Sequence, residues 1–278
     1  MKVAVTGASG LIGTRLTGAL RAMDHEVIPL GRRDTIGPCD AVVHLAGEPV
    51  AQRWSARAKQ EIRDSRVEGT RRLVAGIAAL PQKPRVLVSS SAIGYYGSRG
   101  DETLTEESGP GSDFLATVCA AWEKEAKAAE ELGIRVVRLR TGIVLDAHGG
   151  ALAKMLTPFR FGLGGRLGSG RQWMSWIHID DLAGIVVHAL ENPVSGAVNG
   201  VAPNPVRNSV FTQALAGTLH RPALFPVPQF GLRLMLGEMS EAVLASQRVL
   251  PKVAESSGYR FRYPDLPEAL RETIIGRR

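Results

Sequence analysis

The sequence predicts an α/β fold in which a parallel sheet is covered by helices on both faces and carries a smaller C-terminal lobe. Three observations predict it. Short β-branched runs, Val27-Ile28-Pro29-Leu30, Ala41-Val42-Val43-His44-Leu45, Val86-Leu87-Val88-Ser89 and Val136-Val137-Arg138-Leu139, are separated by helix-length segments of 3.6-residue periodicity. The runs are apolar on both faces, as strands of a helix-covered parallel sheet must be. The first run, Lys2-Val3-Ala4-Val5, leads straight into Gly7-Ala8-Ser9-Gly10-Leu11-Ile12-Gly13, which opens a helical pattern reaching Met23.

That opening unit is a strand, a glycine-rich turn and a helix, the arrangement that aims backbone N–H groups and a helix N-terminus at a pyrophosphate. Gly7 permits the tight turn, Gly10 lets the backbone approach phosphates, and Gly13 lets the helix lie close on the strand. Ser9, Leu11 and Ile12 complete the candidate phosphate-binding turn. The position that reads the adenosine ribose, about 20 residues past the glycines, carries Arg32 with Arg33 beside it. A guanidinium grips a 2'-phosphate where a carboxylate would repel it, so NADP(H) is expected over NAD(H). The alternative is a solvated loop, which Asp34 keeps open.

Between Arg33 and Ala41 the chain is too short for a helix and a further strand, so one crossover is missing and the Rossmann-type sheet is trimmed at one edge. His44-Leu45-Ala46-Gly47 after the next strand is expected to wall the adenosine and pyrophosphate, against an ordinary strand end. Segment 57–79 reads as a long helix, and a second runs from Phe114 to Leu132 with Gly133 as its stop. After residue 150 the texture changes to clustered glycines and dispersed prolines. Residues 1–150 are read as the dinucleotide-binding domain, with a return segment near 177–200, and residues 151–278 as a smaller lobe for substrate or partner.

The chain has 278 residues, 44% of them hydrophobic, which is ample for a main domain with a smaller lobe. Its N-terminus begins on a strand rather than a signal core, and no apolar stretch approaches the roughly 18 residues of a membrane span, so no membrane contact and a cytoplasmic location are expected. Cys39 and Cys119 lack metal-ligand spacing and read as small core residues; no metal is expected. The net charge of +7 invites nucleic acid, but acidic and basic residues intermingle, as in Glu123-Lys124-Glu125, and aromatics are only 5%. A positive field suits phosphate-bearing small molecules equally well. The substrate is left unidentified, and a homodimer stays open.

Several stretches together resemble the extended short-chain dehydrogenase/reductases, and within them an atypical epimerase-like subgroup with a C-terminal tail domain. These are Val5-Thr6-Gly7 through Gly13, His44-Leu45-Ala46-Gly47-Glu48-Pro49, Ser89-Ser90-Ser91-Ala92-Ile93-Gly94-Tyr95-Tyr96-Gly97, Arg140-Thr141-Gly142, and Gly168-Ser169-Gly170-Arg171-Gln172-Trp173 running to Asp181. The resemblance implies that Glu48, Ser89 and Thr141 also line the cofactor. It further implies a catalytic tyrosine with a lysine four residues on, sharing one helix face so that the ammonium lowers the phenol's pKa. The helix that should carry the pair has Leu115 and Cys119 there, or Phe114 and Val118 in the adjacent register. None of the four tyrosines has a lysine four residues on.

The resemblance gives Ser91 as the serine that orients a substrate oxygen, against a capping hydroxyl at a strand end. Tyr95 and Tyr96 are the candidate substitute proton donors. Arg171, Trp173, Trp176 and His178 alternate as if one strand projected them into a pocket, against a packing seam for the tryptophans and hydrogen-bonded structure for the histidine. Asp180 and Asp181 read as caps of a following helix. Two functions follow: an NADP-dependent oxidoreductase or epimerase with a non-standard proton donor, or a non-catalytic NADP(H)-binding regulatory protein.

Overall fold

The computed structural model describes residues 1–31 and 34–276. The chain opens with β1 (Lys2–Thr6), α1 (Leu11–Ala22), β2 (Glu26–Leu30), β3 (Ala41–His44), α2 (Ala56–Ala79) and β4 (Val86–Ala92). After a 3-10 turn at Ile93–Tyr96 come β5 (Thr103–Leu104), α3 (Phe114–Lys127), β6 (Arg135–Thr141), β7 (Ile143–Leu145) and α4 (Gly150–Arg160). The remainder comprises β8 (Trp173–Met174), β9 (Trp176–His178), α5 (Ile179–Glu191), β10 (Gly196–Gly200), β11 (Val206–Arg207) and α6 (Asn208–Leu219). It closes with α7 (Gln229–Leu236), α8 (Met239–Leu244), β12 (Arg248–Val249), α9 (Lys252–Ser256) and α10 (Leu266–Arg271).

Six strands form a parallel sheet in the order β10-β6-β4-β3-β1-β2. Val3 of β1 lies between Val27 of β2 and Ala41 of β3, so β1 is interior and β2 is the edge. Residues 34–40 carry the chain from that edge across to β3 without a helix, which is the missing crossover. Pro29 sits in the edge strand, where its absent N–H removes no outer ladder bond.

Both sheet faces are buried. Val3, Val5, Val86 and Val88 pack with Leu16 and Leu20 of α1 and Leu182, Ile185 and Val186 of α5. On the other face Ala4, Val42, Leu87 and Val136 pack with Ile77 of α2 and Ala126 of α3. Adjacent residues of one strand therefore serve opposite cores, and each fully buried Leu or Val stabilises the fold by roughly 1.5–3 kcal/mol.

A second core holds the lobe. Leu145, Leu152, Leu156, Phe159, Trp176, Phe211, Leu215 and Leu270 pack together, with β7 paired to β9 and β8 to β11. Between these elements the chain returns to the main sheet through α5 and β10, which pairs with β6. The C-terminal segment is tied to α5 by Asp181, whose carboxylate accepts from Tyr259 Oη at 2.9 Å, Arg262 N–H at 2.7 Å and Tyr263 N–H at 2.9 Å.

The start of α5 corrects the sequence-based expectation for three residues. His178, read as a pocket side chain, is 1% exposed and caps the helix, its Nδ1 accepting the Asp180 N–H at 3.2 Å. Asp180 and Asp181 do lie in the first turn of the helix, but the N-cap is His178 and the Asp181 carboxylate holds the C-terminal segment. Asp180 instead pairs with Arg15 of α1 and, at 3.9 Å, with Arg262. Among the described residues no helix is long and apolar enough to cross a membrane.

Candidate functional site

The turn between β1 and α1 is built around three glycines, two of which the local geometry demands. Gly7 has φ +68°, and a Cβ there would lie 3.0 Å from both the Leu45 carbonyl carbon and the Ala46 nitrogen. Gly13 is tighter: its Cβ would sit 2.1 Å from the Gly7 carbonyl oxygen. Gly10 differs, since its Cβ would meet only the Gly7 oxygen, at 3.2 Å, and the space beyond is open. Gly10 is also the N-cap of α1, with no side-chain cap and no acidic residue in the first turn. The first N–H groups of the helix, with its positive dipole end, thus lie beside an uncrowded approach, which fits a diphosphate. Ser9 is exposed, and Leu11 and Ile12 are half-buried, with Leu11 against Gly149 and Gly150 at the start of α4.

The second wall follows β3. Thr6 Oγ1 accepts the Leu45 N–H at 3.2 Å and the Ala46 N–H at 3.3 Å, and contacts His44 Nδ1 at 2.6 Å. Having accepted twice, that hydroxyl is left to donate to Nδ1, so Nε2 carries the ring proton and donates to Thr70 Oγ1 at 3.0 Å. Burial lowers the His44 pKa to about 4 and keeps it neutral. Arg66, from α2, donates to the Glu48 carbonyl at 2.9 Å, and the Glu48 N–H reaches Ser65 Oγ at 3.0 Å. A Cβ on Gly47 would lie 3.3 Å from the Arg66 guanidinium. Arg66 therefore clamps the Leu45–Glu48 loop rather than facing solvent. Trp54 is buried on Phe114, while Arg63 stays on the surface beside Asp64.

At the carboxyl ends of β4 and β6 the polar groups are committed to one another. Ser91 Oγ donates to Glu123 Oε1 at 2.7 Å. Arg140 grips the same carboxylate through Nε at 2.8 Å and Nη2 at 2.9 Å, and donates from Nη1 to Tyr96 Oη at 3.0 Å. Tyr96 Oη in turn donates to Asn199 Oδ1 at 2.7 Å. Burial works against the Arg140 charge, but the hydrogen bonds and charges of Glu123 and Tyr96 more than offset it and hold the guanidinium above its usual value. Burial pushes the Tyr96 phenol up to about 12, Arg140 notwithstanding.

The sequence of residues 3–202 matches the pattern of the NAD dependent epimerase/dehydratase family. The chain belongs to that family. Residues 227–273 match a second pattern, a domain of unknown function (DUF1731). An epimerase family protein SDR39U1 homolog of Arabidopsis thaliana, described as chloroplastic, is 42% identical over 98% of this chain and 86% of its own length. Epimerase family protein YfhF of Bacillus subtilis is 39% identical over 100% and 99%. Among solved structures, human epimerase family protein SDR39U1 with NADPH superposes with a TM-score of 0.93 at 36% identity, covering 98% of this chain and 99% of that one. A UDP-glucuronic acid 4-epimerase from Bacillus cereus with NAD shares the fold at 18% identity and a TM-score of 0.78, covering 98% and 94%.

Measured against the epimerase family's expected tyrosine and lysine, α3 offers neither. Leu115 and Cys119 stand against the 3-10 turn, where a Cβ on Gly94 would lie 3.2 Å from Leu115 Cβ and 3.9 Å from Cys119 Sγ. Cys119 is buried, and that burial, with the Glu123 charge, raises its thiol pKa to about 12. Two candidate positions are corrected by the same network. Tyr96 is 0% exposed and holds Arg140 to Asn199, and the Ser91 hydroxyl serves Glu123 instead of a ligand. Tyr95 is half-buried, its ring face covered by the Arg140 guanidinium at 3.6 Å.

The remaining candidates divide. Thr141 is half-buried at the end of β6, while Ser89 is 0% exposed inside β4 and has no surface for a cofactor. Arg32 and Arg33 lie outside the described residues. The alternating strand splits at Ser175 into β8 and β9. Trp176 is 0% exposed in the lobe core, donating to the Asn204 carbonyl at 3.1 Å, because it faces Phe211 rather than the seam. Trp173 lies between the guanidinium groups of Arg207 at 4.4 Å and Arg248 at 4.6 Å and donates to Asp101 at 2.9 Å, an inter-lobe packing seam. Arg171 is exposed. Sequence reasoning missed Glu123, Arg140 and Asn199 as one cluster. The available signal was a carboxylate at the end of the Leu115-Cys119-Glu123 stripe, which a buried helix face tolerates only when paired. Among the described residues no group of His, Cys, Asp and Glu is placed to hold a metal.

Proposed function

We propose that this chain is an NADP(H)-binding protein of the epimerase family in which occupancy of the nucleotide site, rather than sugar epimerisation, is the output. Gly7, Ser9, Gly10, Leu11, Ile12 and Gly13 would hold the diphosphate, with Leu45, Ala46, Gly47 and Glu48 along the adenosine side and Thr141 at the far end. Arg32 and Arg33 would select the 2'-phosphate. The NADPH of the human relative supports this choice of nucleotide. A bound nicotinamide supplies hydride chemistry, and the chain's part is to bind and orient it.

The observation that carries the reading is the closed network of Ser91, Glu123, Arg140, Tyr96 and Asn199 beside an open glycine turn. The hydroxyls of Ser91 and Tyr96 are bonded to buried partners, and Leu115 and Cys119 supply no replacement. Nucleotide occupancy would then set how the lobe sits over the sheet, and so which partner is recognised. The free thiols Cys39 and Cys119 suit the reducing cytoplasm.

A second reading rests on Tyr95, the tyrosine of this corner that is not fully buried. A reductase could use its phenol as proton donor to a carbonyl substrate. Purified protein mixed with NADPH and a panel of carbonyl compounds and nucleotide sugars, followed by absorbance, separates the two. Tight binding with no oxidation of NADPH supports the occupancy reading, whereas turnover that Tyr95→Phe removes establishes the reductase. In the same binding assay Arg32→Ala is expected to abolish the preference for NADPH over NADH.

A further inference from the structure

The net charge of +7 is concentrated, not dispersed. Segments 147–179 and 192–237 contain no aspartate or glutamate, and they hold Lys154, Arg160, Arg166, Arg171, Arg207, Arg221 and Arg233. The rest of the chain has as many acidic as basic residues, so the intermingling expected from sequence holds only outside these two segments.

The same segments carry Phe161, Leu163, Leu224, Phe225, Phe230 and Leu234, each between 63 and 78% exposed. The fold gathers them. The Val227 N–H donates to the Arg166 carbonyl at 2.9 Å and the Gly168 N–H to the Val227 carbonyl at 2.8 Å, so residues 161–168 and 222–227 run side by side. Gly165 is forced by this contact, since a Cβ there would lie 1.7 Å from the Phe225 oxygen. Pro228 then caps α7, which buries Leu232 and turns Phe230 and Leu234, four residues apart, outward. Arg160, Arg166, Arg221 and Arg233 are exposed on the same segments, Arg166 donating to the Ser169 carbonyl at 2.8 Å, and among the described residues none of them forms an ion pair with a carboxylate.

We infer that, against the expectation from sequence of no membrane contact, this face of the lobe docks on an anionic phospholipid surface. Phenylalanine and leucine at its centre sink to the acyl boundary while arginines at its rim meet lipid phosphates, the division of labour of peripheral membrane contacts. Charge argues against a second copy, because a two-fold pairing would set the arginines of these acid-free segments against their own images. The leucines argue against nucleic acid, which they cannot stack on. This inference is independent of the proposed nucleotide function.

The test uses the full chain, co-sedimented with phosphatidylcholine vesicles with and without about 30 mol% phosphatidylglycerol, at about 0.1 M and about 0.5 M salt. Binding is expected only with the anionic lipid, and at least about tenfold weaker at the higher salt. Phe230→Ser with Leu234→Ser, and separately Arg221→Glu with Arg233→Glu, are each expected to weaken it at least about tenfold. All four side chains are exposed, so unchanged circular dichroism verifies that both variants fold. Absence of binding to anionic vesicles, or binding that both variants retain, overturns the inference. So does a dimer in sedimentation velocity that Leu234→Arg dissolves, or a nucleic-acid complex lost in the same variants.

Discussion

The turn after β1 and the corner between β4 and α3 lie at the same carboxyl edge of one sheet and treat their polar groups in opposite ways. At the turn, Gly10 caps α1 without a side chain, and a Cβ there would meet only the Gly7 oxygen. At the corner, Ser91, Glu123, Arg140, Tyr96 and Asn199 satisfy one another in the interior. A helix end without a cap is a cost to the folded chain that a ligand can repay, whereas a closed buried network stabilises only while every member stays paired. The difference teaches that binding and chemistry are separable within this fold. The first region has the geometry that would receive an anion, and the second holds its own shape.

Substitutions can break that contrast. The largest effect is expected for Gly13→Val, which must displace the Gly7 carbonyl now 2.1 Å from the added Cβ. Calorimetry should find NADPH affinity reduced more than about 100-fold, with circular dichroism verifying the fold. Glu123→Gln attacks the other region by leaving Arg140 buried without its counter-charge. Urea unfolding should report a loss of about 3–5 kcal/mol, while NADPH affinity changes little if the two regions are separable.

His44 sharpens the contrast through pH. Its pKa is about 4 in the fold and near 6.5 in an unfolded chain, so between those values the unfolded state binds the extra proton. Stability from this group is therefore complete above pH ~6.5 and is lost as pH falls toward ~4, by on the order of 3 kcal/mol. The difference in stability between wild type and His44→Asn should shrink across that window. Tyr96→Phe has the smallest expected effect. Removing the hydroxyl from between Arg140 and Asn199 should cost about 1–2 kcal/mol in urea unfolding, with no change in any NADPH oxidation measured beside it.

Much of the nucleotide side was legible in the sequence because its determinants are local. The three glycines fall within seven residues, strand before and helix after, and the short gap after β2 left no room for the missing crossover. The corner was not legible, because its bonds join residues far apart in the chain. Ser91 meets Glu123 across 32 residues, Arg140 meets Tyr96 across 44, and Tyr96 meets Asn199 across 103. Side chains of catalytic type thus looked available when the fold had already partnered them. Trp176 and His178 misled for a related reason. Their alternation suggested one strand facing a pocket, but Ser175 splits it and turns Trp176 into the lobe core.

The most direct test of this account is a crystal structure grown with NADPH. The expected result is diphosphate density against the leading N–H groups of α1, with Ser91 still bonded to Glu123 and Tyr96 to Asn199. Density elsewhere, or the Ser91 or Tyr96 hydroxyl turned toward the nicotinamide, would contradict it.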